Sequence, residues 1–85
     1  MASLSNGYFI AQRAIADLKS AVRDLLQEAP EEGLKNAQIG RSLGIYSGHK
    51  EHEGHISRTL LAMLEAEGVA EQDPHTKNWR LRSHS

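Results

Sequence analysis

The sequence predicts a mainly α-helical domain with a small β-hairpin: a long first helix, two shorter helices, and two strands near the carboxyl end. Three observations carry this expectation. Apolar residues from Leu4 to Leu25 recur at alternating spacings of four and three. Two further helically spaced apolar stretches are each closed by a glycine, Gly44 and Gly68. Residues 69–82 then alternate in polarity around the turn-forming DPHTK, and a fall in period from 3.6 to 2 marks a change from helix to strand.

The first helix is expected over 5–29. Leu4, Tyr8, Ala11, Ile15, Leu18, Val22 and Leu25 keep one side apolar for about five turns. Ser5 or Asn6 can cap its start. Pro30 stops it, because proline disfavours the helical conformation in the residue before it. The strip has two uses. It packs on the domain's own core, or its amino-terminal part (Leu4, Tyr8, Ala11 and Ile15) forms a dimer seam, since 4-3 spacing is also that of a coiled coil.

After the acidic loop PEEG, Leu34 begins the second element, a short helix over 36–43 with Asn36 as its N-cap and Gly44 just past its end. Ile39 and Leu43 are its buried pair, and Gly40 between them lets another helix come close. An enlarged turn over 45–55 leads to a third helix over 54–67. Ile56, Leu60, Leu61 and Leu64 form its core stripe with Met63 beside it, and the opposite face carries His55, Arg58, Thr59 and Ala62. The hairpin over 69–82 has Trp79 and Leu81 on one face and Asn78, Arg80 and Arg82 on the other. No internal repeat interrupts this order, so a single domain is expected over 1–85.

Composition narrows the function classes. A chain of 85 residues buries only about 60–65% of its unfolded surface, enough for one modest core. The absence of cysteine excludes a disulfide framework, a zinc ribbon and thiol chemistry. No apolar run approaches membrane-spanning length, and MASLSNGYFI lacks the basic and apolar regions of a signal peptide, so a cytoplasmic protein is expected. The formal charge of −1 conceals segregation. Basic Lys35, Arg41, Lys50 and Arg58 outnumber the acids of 35–60, and Lys77, Arg80 and Arg82 leave the end of the chain basic. Between them, 61–75 holds Glu65, Glu67, Glu71 and Asp73 with no base.

The stretch IGRSLGI at 39–45 resembles the winged helix-turn-helix superfamily. Ile39, Gly40, Leu43, Gly44 and Ile45 fill the places of branched apolar residue, small crossing residue, apolar residue, turn glycine and apolar residue. ISRTLLAMLEAEGVAEQD at 56–73 looks like that family's recognition helix, glycine stop and first wing strand, and DPHTKNWRLR resembles its wing. The resemblance covers about 34–82 and implies three helices plus a wing, with the third helix entering the major groove of DNA. It departs from the family in one place. Ten residues separate Ile45 from Ile56 where the motif has about four, so YSGHKEHEGH is a turn with about six extra residues.

That turn holds His49, His52 and His55, three apart and bracketed by Gly48 and Gly54. Zinc ligation requires all three imidazoles to converge, and the glycines oppose the helix on which His-x-x-His pairs work best. Catalysis lacks a nucleophile and a phosphate loop, so neither an enzyme nor a cofactor nor a metal is expected. A solvated connector is the plain alternative. Nucleic-acid contact draws on more of the residues: the histidines and Lys50 stand beside Arg58 at a helix amino terminus, where exposed N–H groups favour phosphate. Glu51 and Glu53 oppose it.

The expected function is binding of double-stranded DNA, as a transcriptional regulator or a DNA-targeting module carried by a larger protein. The expected contacts are His49, Lys50, His52, His55, Ser57, Arg58 and Thr59 from the turn and recognition helix, and Lys77 and Arg80 from the wing. The alternative is a protein-interaction winged helix that binds no nucleic acid, a use the same fold also serves.

Overall fold

The computed structural model describes residues 2–46 and 54–82, with side chains from Asn6 onward. His49, Lys50 and His52 of the expected contact set, and the side chain of Leu4, lie outside the described residues. Three helices, α1 (Ala2–Gln27), α2 (Asn36–Ser42) and α3 (His55–Ala66), precede two strands, β1 (Ala70–Gln72) and β2 (Trp79–Leu81), paired as one antiparallel sheet. The molecule is thus mainly helical with a small hairpin, in the order expected.

Helix α1 starts and stops earlier than its sequence suggests. It begins at Ala2, which leaves Ser5 and Asn6 inside the helix rather than capping it. Nothing between Ala2 and Leu4 breaks helical backbone, and alanine and leucine are strong helix formers. At the other end, Glu28 N donates to Leu25 O and Ala29 N to Leu26 O, both at 3.2 Å. These three-residue closures tighten the last turn as the chain approaches Pro30, so the α-helix ends at Gln27 and not at 29.

The apolar strip divides along its length. Val22 is fully buried, Leu18 and Leu25 pack at the core's edge, and Leu26, off the 4-3 spacing, is buried as well. Tyr8, in contrast, is 62% exposed, and Phe9 and Ile10 are each 68% exposed. Among the described residues, only the second half of α1 therefore packs against the core, where Val22 and Leu26 meet Ile39, Leu60, Leu61, Leu64, Ala70 and Trp79.

Leu34 does not open a helix. Its N–H donates to Trp79 O at 2.9 Å and its carbonyl accepts from Trp79 N at 2.6 Å, an isolated bridge that adds one residue to the edge of β2. The preceding glycine makes this possible. Gly33 has φ +84°, and a Cβ there would lie 2.4 Å from Trp79 O, so no side chain fits.

Helix α2 is capped by Lys35, not by Asn36: the Lys35 N–H donates to Gln38 Oε1 at 2.8 Å, half of a capping box. Asn36 falls inside the first turn, and its side chain is used elsewhere. Helices α2 and α3 end alike. Gly44 N donates to Arg41 O and Ile45 N to Gly40 O; Gly68 N donates to Glu65 O and Val69 N to Leu64 O. Both glycines have positive φ. These are Schellman closures, and each satisfies two carbonyls while turning an apolar residue back to the core. In the hairpin Ala70 faces Leu81, Glu71 faces Arg80 and Gln72 faces Trp79, so Trp79 is buried while Arg80 points outward.

Candidate nucleic-acid interface

Two consecutive residues at the start of α2 tie three parts of the chain together. Lys35 Nζ reaches the hairpin turn, donating to Thr76 O at 3.2 Å and Asn78 Oδ1 at 3.3 Å. Asn36 reaches α3: its Nδ2 donates to Gly54 O at 3.1 Å, and its Oδ1 accepts from Ser57 Oγ at 2.7 Å. The amino-terminal ends of α2 and α3 and the tip of the hairpin are consequently neighbours.

Gly54 sets the start of α3. It is buried, with φ +79°, and a Cβ there would lie 2.7 Å from Tyr46 Cε1 and 2.8 Å from Asn36 Nδ2. Its carbonyl accepts the first helical bond from Arg58 N at 3.0 Å. Tyr46 and Gly54, which flank 47–53, therefore meet each other. The Tyr46 ring also packs on Gly40, and the Arg41 guanidinium lies 4.6 Å above its centre, a cation–π contact. Gly40 serves as its sequence suggested: a Cβ would stand 3.0 Å from Ser57 Oγ, so the glycine lets α3 lie against α2.

The expected contacts fall into groups. His55, Arg58 and Thr59 lie on the exposed face of α3 with Ala62. Thr59 Oγ1 donates back to His55 O at 2.8 Å, so its hydroxyl is part of the helix surface. Ser57 is a correction. It is fully buried, and its hydroxyl faces Asn36 Oδ1 and, at 3.1 Å, Gly54 O. A serine two residues into the helix, on the side of the core stripe, turns inward with Ile56 and Leu60, so it offers nothing to a ligand.

Lys77 is exposed at the hairpin turn, where its backbone takes φ 68°. The turn is built around Asp73, whose Oδ1 accepts from His75 N at 2.7 Å and Thr76 N at 3.0 Å. The N–H of Thr76, then that of His75, holds this carboxyl below the usual aspartate range. Arg80 Nε donates to Glu71 Oε2 at 2.9 Å across the two strands, so an acid shares the face on which Arg80 was expected to meet phosphate. Sequence reasoning missed Lys35, Asn36, Arg41 and Tyr46 as parts of this region. Lys35 and Arg41 were visible as charge in 35–60, but their neighbours depend on tertiary contacts.

Among the described residues, no group of three or more histidine, aspartate or glutamate side chains comes together to hold a metal ion. Nor is any helix among them long and apolar enough to cross a membrane. The architecture defines a class no narrower than a small three-helix domain with a two-stranded antiparallel sheet. Comparison with known protein families, with characterised proteins and with solved structures found no match.

Proposed function

We propose that this chain is a winged helix-turn-helix domain that binds duplex DNA, with α3 as the recognition helix and the β1–β2 hairpin as the wing. The observation that supports it most is the pair Lys35 and Asn36. One is bonded to the hairpin turn and the other to the first turn of α3. The two elements that would touch DNA are thereby fixed to one end of α2, as a groove-reading helix and a backbone-reading wing require.

On this reading Arg58, on the exposed face of α3, reads a base edge, where a guanidinium pairs bidentately with guanine. Lys77 and Lys35 approach the backbone from the wing side. Arg80 contributes less than an unpaired arginine, because Glu71 already offsets its charge. The competing reading, a protein-interaction module, is favoured by that same pair and by the near-neutral net charge.

Fluorescence anisotropy of a labelled duplex at increasing salt tests the proposal. With about three to five phosphate contacts, log affinity falls against log salt with a slope of about −3 to −4.5. Absence of binding at low salt would select the protein-interaction reading.

A further inference from the structure

We propose that Arg41 binds a phosphate of the duplex, with the Tyr46 ring as the platform that holds its guanidinium beside the start of α3. This contact rests on the DNA-binding reading and extends it to a cation carried by α2.

The platform is assembled by the fold itself. The Tyr46 ring lies against two glycines, neither of which has a side chain to push it away. A Cβ at Gly40 would stand 3.0 Å from Tyr46 Cδ1, and one at Gly54 would stand 2.7 Å from Tyr46 Cε1. The ring therefore packs on α2 and on the residue that precedes α3, and Tyr46 is half-buried as a result. The Cβ position at Gly54 is also 2.8 Å from Asn36 Nδ2, so the ring belongs to the cluster that ties α2 to α3.

Arg41 covers this ring without being spent on it. Its Cζ lies 4.6 Å from the ring centre, and the residue stays exposed. A ring attracts a guanidinium through its π face, whereas a hydrogen bond would occupy one of the five N–H donors. Among the described residues no carboxylate pairs with Arg41, while Lys19 is paired with Glu67 and Arg80 with Glu71. Lys35 Nζ is likewise engaged, by Thr76 O and Asn78 Oδ1. Arg41 is thus a cation held in place by a contact that neither neutralises it nor uses its donors. An anion site needs that combination, and the planar fork of arginine matches two phosphate oxygens. Phosphate is the acceptor that fits the position. Arg58 lies on the exposed face of α3, the element that would fill the groove, whereas Arg41 stands on the neighbouring helix, beside that element.

Arg41 also lies in the last turn of α2, where a cation favours the helix macrodipole. That role acts on stability alone, so binding measurements separate it from a phosphate contact.

Fluorescence anisotropy with two duplexes of unrelated sequence, from low to physiological salt, compares the wild-type chain with Arg41→Gln and Arg41→Lys. Arg41→Gln should weaken binding to both duplexes alike and make the slope of log affinity against log salt shallower by about 1. Arg41→Lys keeps the charge and should restore the slope. Thermal unfolding followed by circular dichroism accompanies each variant. A lowered melting temperature in Arg41→Gln with the wild-type slope retained would make Arg41 purely structural and overturn the phosphate contact. A loss confined to one duplex would overturn it in favour of a base contact. In both cases the wild-type chain still binds, and the DNA-binding reading stands. A wild-type chain that binds neither duplex at low salt overturns that reading and this contact together.

Discussion

Ser57 and Arg58 are adjacent in sequence and have opposite fates, and this separation is the sharpest residue-scale test of the structure. The Ser57 hydroxyl is sealed between Asn36 Oδ1 and the Gly54 carbonyl, so it holds α3 to α2 and cannot reach a ligand. Ser57→Ala leaves the Asn36 oxygen without its donor and should cost about 1–2 kcal/mol of stability. The same change should leave the DNA affinity of the folded protein unaltered. Arg58 lies on the exposed face of α3. Arg58→Ala should cost less stability than Ser57→Ala, as for a side chain whose contacts lie at the surface, while weakening binding to a preferred site by about 1–3 kcal/mol. Urea unfolding and anisotropy on the two variants separate the roles. Equal stability losses, or an affinity loss confined to Ser57→Ala, would reverse the assignment.

At the scale of elements, the hairpin carries its own pH dependence. The Asp73 carboxylate organises the turn by accepting from Thr76 and His75, and these bonds depress its pKa in the folded state. A depressed carboxyl contributes stability that is present above its unfolded pKa and lost as pH falls through the folded value. On acidification the His75 and Thr76 amide resonances should therefore move together, with a midpoint below that of an ordinary aspartate. Asp73→Asn should abolish that transition. If their movement instead matches exposed carboxylates elsewhere in the chain, the turn is not held by Asp73. The ends of the elements also mark what sequence can express. Gly44 and Gly68 announced both Schellman closures, since only local backbone freedom is needed to foresee them. The N-cap at Lys35, the Leu34–Trp79 bridge and the burial of Ser57 were not legible. Each depends on a partner 21 or more residues away or, for the cap, on the Asn36 amide being drawn to α3 instead. The strip on α1 was legible as apolar, but one periodicity serves both a core and an exposed seam, and only packing divides it between them.

At the scale of the whole molecule, the proposed DNA binding depends on proximity rather than on charge. The net charge of −1 supplies little long-range attraction to DNA, so the proposed binding would rely on a few residues gathered at one end. Lys35 and Asn36 gather them by holding the hairpin tip and the start of α3 to the start of α2. The most direct test is an amide-shift NMR titration of the labelled chain with a mixed-sequence duplex, at low and then physiological salt. If the chain binds DNA as proposed, shifts cluster at 48–59 and 75–80, with Lys35 moving alongside, and all shrink as salt rises. Shifts scattered over the domain, or none at low salt, would contradict it.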